Sequence, residues 1–573
     1  MTHLPTTLVD ILQHRAIEQH NQLAYRHLVD GEYEEVIMTH EDLDRRARSI
    51  AALLQSLAKQ GDRALIIFPP GLDFIAAFFG CLYAKIVAVP VYPPHHARVD
   101  RNLPIILRIA ADAKPTVALL TSSLLNVIMS RKEIKDDLGN IKLIAIDNEE
   151  VNDWADKWQQ PEIGRKDLAF LQYTSGSTTE PKGVMISHGN LLNDMHCIEK
   201  CFGVSNEDHG VIWLPPYHDM GLIGGILQPL YSGIPVTLIP TLMFLQRPFR
   251  WLQTISRFRA TMSGGPNFAY ELCIRKVKPE QREQLDLSSW VVAFNGAEPI
   301  YHKTLDRFAE YFAPCGFKRE AFLPCYGLAE ATLLVTGGTK SSSPSMVNLK
   351  NSGLVQNRVI ITPEKNEDTR TLVSCGQSFP DQDLKIVNVE TLKLCPEDDI
   401  GEIWIKGASV ACGYWNKPSE TELTFDARLS DSNATGPYLR TGDIGFIHEG
   451  ELYITGRIKN LIISEGKNHY PHDIEKTVET SHPAIRNAGC AVFSIYKSGV
   501  EDIIVVAEIE HRSVVKTEEV IKTIREAVSL YHGLHVNDIR LTKPGGIPRT
   551  TSGKIRHFLC KEYYMTGSLK EIV

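Results

Sequence analysis

The sequence predicts an α/β protein in two parts, a large multi-layer α/β unit followed by a small α/β unit. Three observations carry that expectation. The 573 residues exceed what one hydrophobic core usually organises, so at least two domains are expected. Over the first two thirds, short β-branched apolar runs alternate with helical patterns, the texture of layered sheets with much parallel pairing. Around residues 455–460 a β-rich stretch ends and a new unit, with helices and a strand of its own, begins.

The elements follow in order. Residues 64–68 (ALIIF) read as a buried strand, then Pro69-Pro70-Gly71 turns the chain into an apolar helix from Leu72. Residues 86–91, 117–120, 143–146 and 235–239 are again short, β-branched and apolar. Over residues 190–202, Leu191, Met195, Ile198 and Phe202 recur at spacings of four, three and four, which makes one apolar helix face. Residues 338–374 differ in texture. They are polar and irregular, with a serine run at 341–343 and one β-like run at 358–362, and read as an insertion. After the β-rich residues 451–454, a helix near 471–481, a strand near 503–509 and a helix near 517–530 form the second unit. No internal repeat or coiled-coil heptad is present.

Composition excludes several classes. A net charge of -8 argues against a nucleic-acid-binding protein, which needs a basic face to neutralise phosphates. The longest apolar stretch, 74–84, ends at Lys85, short of the ~18–20 residues of a membrane span. The first eighteen residues carry Asp10, His14, Arg15 and Glu18, unlike a signal peptide, so the cytoplasm is the expected compartment. The 11 cysteines are scattered without a C-x-x-C, and read as buried thiols rather than a zinc site.

The sharpest local feature is residues 173–183, Tyr-Thr-Ser-Gly-Ser-Thr-Thr-Glu-Pro-Lys-Gly, between apolar runs at 168–172 and 184–186. In a loop joining two strands, such small residues let backbone N–H groups approach phosphate oxygens, and Lys182 adds a cation. The spacing fails the Walker pattern at two positions, Pro181 and Gly183. Read alone, the segment fits a phosphate loop or an ordinary Ser/Thr/Gly hairpin.

Further motifs follow it: Asn295-Gly296-Ala297-Glu298-Pro299, Tyr326-Gly327-Leu328-Ala329-Glu330, Gly413-Tyr414-Trp415-Asn416, Leu439-Arg440-Thr441-Gly442-Asp443, Gly456-Arg457-Ile458-Lys459, and Pro548 to Lys554 (PRTTSGK). Together, and in this order, they resemble the adenylate-forming superfamily of acyl-CoA synthetases, luciferases and peptide-synthetase adenylation domains, across residues 174–554. The resemblance implies a large domain over residues 1–456, a hinge at 457–460 with Lys459 as its pivot, and a small mobile lid over 461–573. It implies ATP and Mg2+ as cofactors, and joining of a carboxylic acid to AMP with release of pyrophosphate.

By resemblance, Thr174, Ser175, Gly176, Ser177, Thr178 and Lys182 cradle the phosphates. Gly296, Ala297 and Glu298 form the adenine-side loop, and Tyr326, Gly327 and Leu328 lie beside it. Glu330 is the expected magnesium ligand, Asp443 suits the two ribose hydroxyls, and Arg457 meets the nucleotide near the hinge. Lys554 is expected to bridge the substrate carboxylate and the phosphate, and His218 to line the carboxylate's way in. Each has a plainer reading by itself: a surface lysine, a structural histidine, a helix N-terminal glutamate, a packed tyrosine, a turn aspartate.

Two features resemble the fatty acyl-AMP ligases: the run 214–222 (LPPYHDMGL) and the insertion 338–374. That resemblance implies a medium- or long-chain fatty acid as substrate. It also implies an acyl carrier protein, or a carrier domain of a polyketide or peptide synthase, as the acceptor. A long-chain acyl-CoA synthetase is the nearest alternative. A binding-only homologue is a third, against which intact Glu330, Asp443 and Lys554 argue. Phe244, Leu245 and Phe268 are candidates for the acyl pocket, although core packing explains them as well.

Overall fold

A computed structural model describes residues 5–94, 99–131, 137–148, 153–174, 181–366, 368–397, 399–430, 436–464, 467–497, 500–510, 516–550 and 553–571. The α/β expectation holds. Among the described residues, a six-stranded sheet runs from edge to edge through Lys142–Ala145, Val117–Leu120, Arg63–Ile67, Val87–Pro90, Leu168–Thr174 and Lys182–Ser187. All pairings are parallel except the last. Its central strands are covered on both faces, which is why they appear in the sequence as unbroken apolar runs.

A nine-stranded sheet lies beside it, with Phe322–Gly327, Val292–Asn295, Met262–Gly265 and Gly210–Ile212 as adjacent parallel strands at its centre. The helix His188–Phe202 is fixed at both ends. The Ser187 hydroxyl accepts from Asn190 N while the Asn190 amide oxygen accepts from Ser187 N, and Gly203 ends the helix in the left-handed region at φ 55°. A four-stranded antiparallel sheet, Gln382–Val387, Gly401–Gly407, Leu439–His448 and Glu451–Arg457, completes the large part.

The small part has its own core. Helices Pro471–Ser481 and Thr517–His532 put Ile474, Val478, Ile524 and Val528 against Val505 and Ala507 of strand Val500–Ile509. The alternate residues Ile504 and Val506 face Ile547 and Cys560 on the other side, as a period of two requires.

The insertion is more ordered than its composition suggests. Met346–Lys350 pairs antiparallel with Thr369–Val373, and a short helix, Asn351–Leu354, follows the first strand. The run 358–362, read from sequence as β-like, forms no regular strand. It makes only isolated bridges, Arg358 with Asp399 and Ile361 with Leu349, while Val359 fills an apolar cluster. That cluster also takes Leu349, Leu354 and Leu372 of the insertion, Ile444, Phe446 and Tyr453 of the four-stranded sheet, and Tyr470 at the start of the small part.

Candidate active site

A cleft of about 2910 Å³ separates the two parts, and the described catalytic and nucleotide-binding candidates line it. Thr174 and Lys182 face each other across the antiparallel pair that brackets the phosphate loop. Ser175, Gly176, Ser177 and Thr178 lie outside the described residues. Lys182 pairs with Glu420, and its ammonium stands 4.9 Å from the centroid of the Tyr414 ring.

Gly296, Ala297 and Glu298 leave the C-terminal end of strand Val292–Asn295, where α/β sheets place their ligands. Ala297 holds φ 69°, a region that costs a non-glycine residue roughly 1–3 kcal/mol, so the loop's shape is imposed by its surroundings. Part of that imposition is visible: Glu298 Oε1 accepts the Phe268 N–H at 2.6 Å, tying the loop to helix Asn267–Lys276. Burial raises the Glu298 carboxyl, with the Phe268 N–H and Lys554 opposing.

The neighbouring strand brings in Tyr326, whose hydroxyl donates to Asp443 Oδ2 at 2.8 Å. Arg457 stands opposite Asp443 in the ladder and donates to its other oxygen, Nε to Oδ1 at 2.5 Å. Behind them is a buried carboxylate that sequence reasoning did not single out. Glu402 accepts from Gly442 N at 3.1 Å, from Arg440 at 2.7 Å and from Trp404 Nε1 at 2.9 Å, so the Thr-Gly-Asp turn is held from below.

Gly327 and Leu328 carry the chain on to Glu330. At Gly327 a Cβ would stand 1.8 Å from the Leu333 carbonyl oxygen, so only glycine fits. Glu330 Oε1 accepts from the Tyr414 hydroxyl at 2.8 Å. Tyr414 therefore links Glu330 to Lys182. Its Gly-Tyr-Trp-Asn motif marks it in the sequence, but the motif alone does not reveal this link.

His218 and Asp219 lead directly into a π-helix, Met220–Leu227, a rare conformation that gathers at functional sites. Asp219 Oδ1 accepts from Met220 N at 2.6 Å and lies 2.5 Å from His218 Nδ1. Burial alone would raise the Asp219 carboxyl. The His218 imidazole, then Lys554 and the Met220 N–H, outweigh it and hold the group below the usual carboxylate range.

Lys554 enters from the small part, on the loop between Asp538–Thr542 and His557–Met565. Thr550 pins that loop, its Oγ1 accepting from Lys554 N at 3.0 Å. Glu508, fully buried on strand Val500–Ile509, anchors it further back, accepting from Gly545 N at 2.9 Å and Ile547 N at 3.1 Å and pairing with Arg486 at 2.8 Å. Burial lowers the Lys554 ammonium, with Asp219 and Glu298 opposing. Lys459, in the turn Ile458–Asn460, is exposed at the cleft's edge. Of the acyl-pocket candidates, Leu245 and Phe268 line the cleft. Phe244 stacks on Trp213 at 3.9 Å between centroids and belongs to the core.

Such an arrangement can hold a nucleotide at the sheet ends and bring a cation from the opposite wall onto its phosphates. Comparison with known proteins agrees. A family model described as AMP-binding enzyme matches residues 12–415, and one described as Disco-interacting protein 2-like, AMP domain, matches residues 459–573. The chain is 45% identical over 572 residues to the medium-chain-fatty-acid--[acyl-carrier-protein] ligase JamA of Moorena producens, covering 99% of this chain and 96% of the relative. A fatty acyl-adenylate ligase of L. pneumophila, solved with acyl adenylate and pyrophosphate, is 43% identical with a TM-score of 0.77, over 98% of this chain and 96% of that one. A second solved structure, from work on the fatty acyl-adenylate ligases of E. coli and L. pneumophila, is 31% identical with a TM-score of 0.88, over 98% of each chain.

Proposed function

Because the chain belongs to the AMP-binding enzyme family, we propose that it is a fatty acyl-AMP ligase, activating a medium- or long-chain fatty acid with ATP and passing the acyl group to an acyl carrier protein. The observation that carries the branch is the insertion's grip on the small part. Arg370 forms an ion pair with Asp473 at 2.7 Å and contacts His472, and Asn468 N donates to the Val355 carbonyl at 3.2 Å. A small domain tethered in this way favours the adenylating arrangement, with Lys554 in the cleft, over rotation toward a coenzyme A-using one. The large domain is then residues 1–456, the hinge 457–460 and the lid 461–573.

In the reaction, a carboxylate oxygen of the acid attacks the α-phosphorus of ATP. A new carboxylate O–P bond forms, giving a mixed carboxylic–phosphoric anhydride, while the bond to the β-phosphate's bridging oxygen breaks and pyrophosphate leaves with the electron pair. The protein's contribution is positioning and neutralisation of charge. Thr174, Ser175, Gly176, Ser177, Thr178 and Lys182 hold the β- and γ-phosphates. Gly296, Ala297, Glu298 and Tyr326 with Gly327 and Leu328 seat the adenine. Asp443 takes the ribose hydroxyls. Its two oxygens offer about four acceptor sites; Tyr326 and Arg457 Nε and Nη2 meet three of them, the last over a long 3.4 Å that a hydroxyl can replace. Lys554 bridges the attacking carboxylate and the α-phosphate, and His218, oriented by Asp219, lines the carboxylate's approach.

Among the described residues there is no group of three or more His, Cys, Asp or Glu side chains fit to hold a metal alone. Glu330, one of the carboxylates lining the cleft and with one oxygen already taken by Tyr414, suits Mg2+, which takes few protein carboxylates and fills its remaining positions with phosphate and water oxygens. When bound, Mg2+ supplies positive charge to the phosphate oxygens. Glu330 is the residue that would hold it.

The test is direct. Purified protein is incubated with ATP, magnesium and radiolabelled dodecanoic acid, with and without coenzyme A, and the products are separated. Acyl-AMP that persists in the presence of coenzyme A supports the ligase. Acyl-CoA would make the protein a synthetase, and no product in either tube would favour the binding-only homologue.

A further inference from the structure

The turn that follows Glu330 has a shape that threonine seldom adopts. Thr332 holds φ 71° and ψ -66°, and Leu333 N donates across it to the Ala331 carbonyl at 2.9 Å. Those angles and that bond make a γ-turn of the rare, strained kind. A β-branched residue is an outlier there, whereas glycine takes positive φ freely. Thr332 is also fully buried, so its side chain does not serve solvent. Its hydroxyl donates to the Ser409 carbonyl at 2.6 Å.

That bond joins two stretches of chain that meet at Glu330. Ala411 N donates to the Glu330 carbonyl at 2.9 Å, and the Tyr414 hydroxyl donates to the Glu330 carboxylate at 2.8 Å. Residues 409–414 thus hold Glu330 by backbone and by side chain, and Thr332 ties the turn to the start of that stretch. Helix His188–Phe202 braces both partners from one face, with polar side chains at spacings of three and four from Asn190. Asn190 Nδ2 donates to the Ala408 and Val410 carbonyls at 2.9 Å each, and Asn193 Nδ2 to Ser409 Oγ at 2.9 Å. Asp194 Oδ1 accepts from Leu334 N at 3.0 Å. The flanks of the turn are therefore fixed, and the Thr332 bond fixes its centre.

We propose that Thr332 is a positioning residue for the metal–nucleotide site: its hydroxyl holds the strained turn that aims the Glu330 carboxylate into the cleft. This rests on the reading of Glu330 as the residue that would hold Mg2+ in an ATP-dependent ligase. Without the hydroxyl bond, residue 332 relaxes toward negative φ, the peptides on either side of it rotate, and the carboxylate two residues back loses its direction. The groups assigned to adenine and ribose are held by bonds of their own, Glu298 to Phe268 N and Asp443 to Tyr326 and Arg457, so nucleotide binding without metal does not depend on this turn.

Mn2+ is the probe. Its binding to the protein with α,β-methylene-ATP, which cannot release pyrophosphate, is titrated by electron paramagnetic resonance. Binding of the same analogue is measured separately in excess chelator, with melting curves for each variant. Thr332→Val keeps the branched shape and drops the hydroxyl. It should weaken Mn2+ binding about tenfold, the scale on which a group supporting a metal ligand acts, with metal-free nucleotide binding unchanged. Thr332→Ser keeps the hydroxyl and should bind both like the wild type. Thr332→Ala carries the test if the valine variant does not fold. Unchanged Mn2+ binding in the hydroxyl-free variants, or a loss shared equally by the metal-free nucleotide, overturns the inference and leaves the ligase reading intact. Unfolding of both variants also overturns it, because Thr332 would then serve the fold and not the site. Glu330→Gln is the control: if it binds Mn2+ as the wild type does, the metal reading falls with the inference. A wild type that does not bind the analogue overturns the ligase reading as well.

Discussion

Arg370 Nη1 lies 2.7 Å from Asp473 Oδ2, an ion pair that joins the insertion to the first turn of a small-domain helix. The Arg370 guanidinium also rests 5.3 Å from the centroid of the Tyr470 ring. Both charged side chains are mostly covered, so the pair is worth more than a surface bridge. Losing a charged contact of this kind costs about 1.5–3 kcal/mol, roughly a tenfold or greater shift in any equilibrium it biases. Arg370→Ala is therefore expected to raise acyl-CoA formation about tenfold when coenzyme A is supplied, with acyl-AMP formation nearly unchanged. Product separation after reaction with radiolabelled dodecanoic acid measures both.

Lys554→Ala should lower adenylation by about 100-fold or more while leaving the melting temperature near that of the wild type, because the side chain stabilises charge that builds only during reaction. Burial holds the native ammonium below its ordinary 10.5. The alkaline limb of the pH–rate profile should accordingly fall below that value, and Lys554→Arg, which stays charged, should carry the limb upward with whatever activity it retains.

Asp443→Ala removes the acceptor of both Tyr326 and Arg457. An ATP KM raised by about 10- to 100-fold is expected, with Tyr326→Phe milder at about 2- to 5-fold, since it deletes one donor and leaves the carboxylate in place. Equal effects on ATP and fatty-acid KM would argue against a nucleotide-side role for this pair.

His557 on the last helix stands 2.5 Å from Glu475 Oε1. Burial alone would lower its pKa, but the Glu475 carboxylate overcomes that and raises it above the ordinary value of 6.5. The native state then holds this proton more tightly than the unfolded chain does. The stability from the pair is fully present below about pH 6.5 and is lost as pH rises through the native value. His557→Gln should flatten this part of the stability profile. Urea melts of wild type and variant across that range would show converging midpoints at high pH; parallel curves would contradict the assignment.

What the sequence revealed and what it concealed have physical causes. Arg63–Ile67 and Val117–Leu120 were legible because both faces of each strand are covered, which leaves an unbroken apolar run. The insertion strands Met346–Lys350 and Thr369–Val373 were not. Their two-stranded sheet mixes Asn348, Lys350, Arg370 and Thr371 with the residues it buries, so the more apolar run at 358–362 looks more like a strand than they do. The cleft residues were found because their motifs are contiguous. Tyr414 is 84 residues from Glu330, Glu402 is 40 from Gly442 and Glu508 is 37 from Gly545, and no local spacing encodes such pairings.

The apolar cluster shared by the insertion and its hosts has a consequence for how such a segment could be gained or lost. Leu349, Leu354 and Leu372 pack in one cluster with Phe446 and Tyr453, which are 0% and 2% exposed. Excising residues 338–374 would bare two large aromatic side chains, and losing the packing of even one buried Leu typically costs ~2–5 kcal/mol. A shortened chain would aggregate or melt before any new chemistry could be assayed. The reverse graft, onto a coenzyme A-using relative, would fail for the same reason unless the matching aromatic seats travelled with it. Any exchange of this segment between chains would have to carry residues 446 and 453 with it.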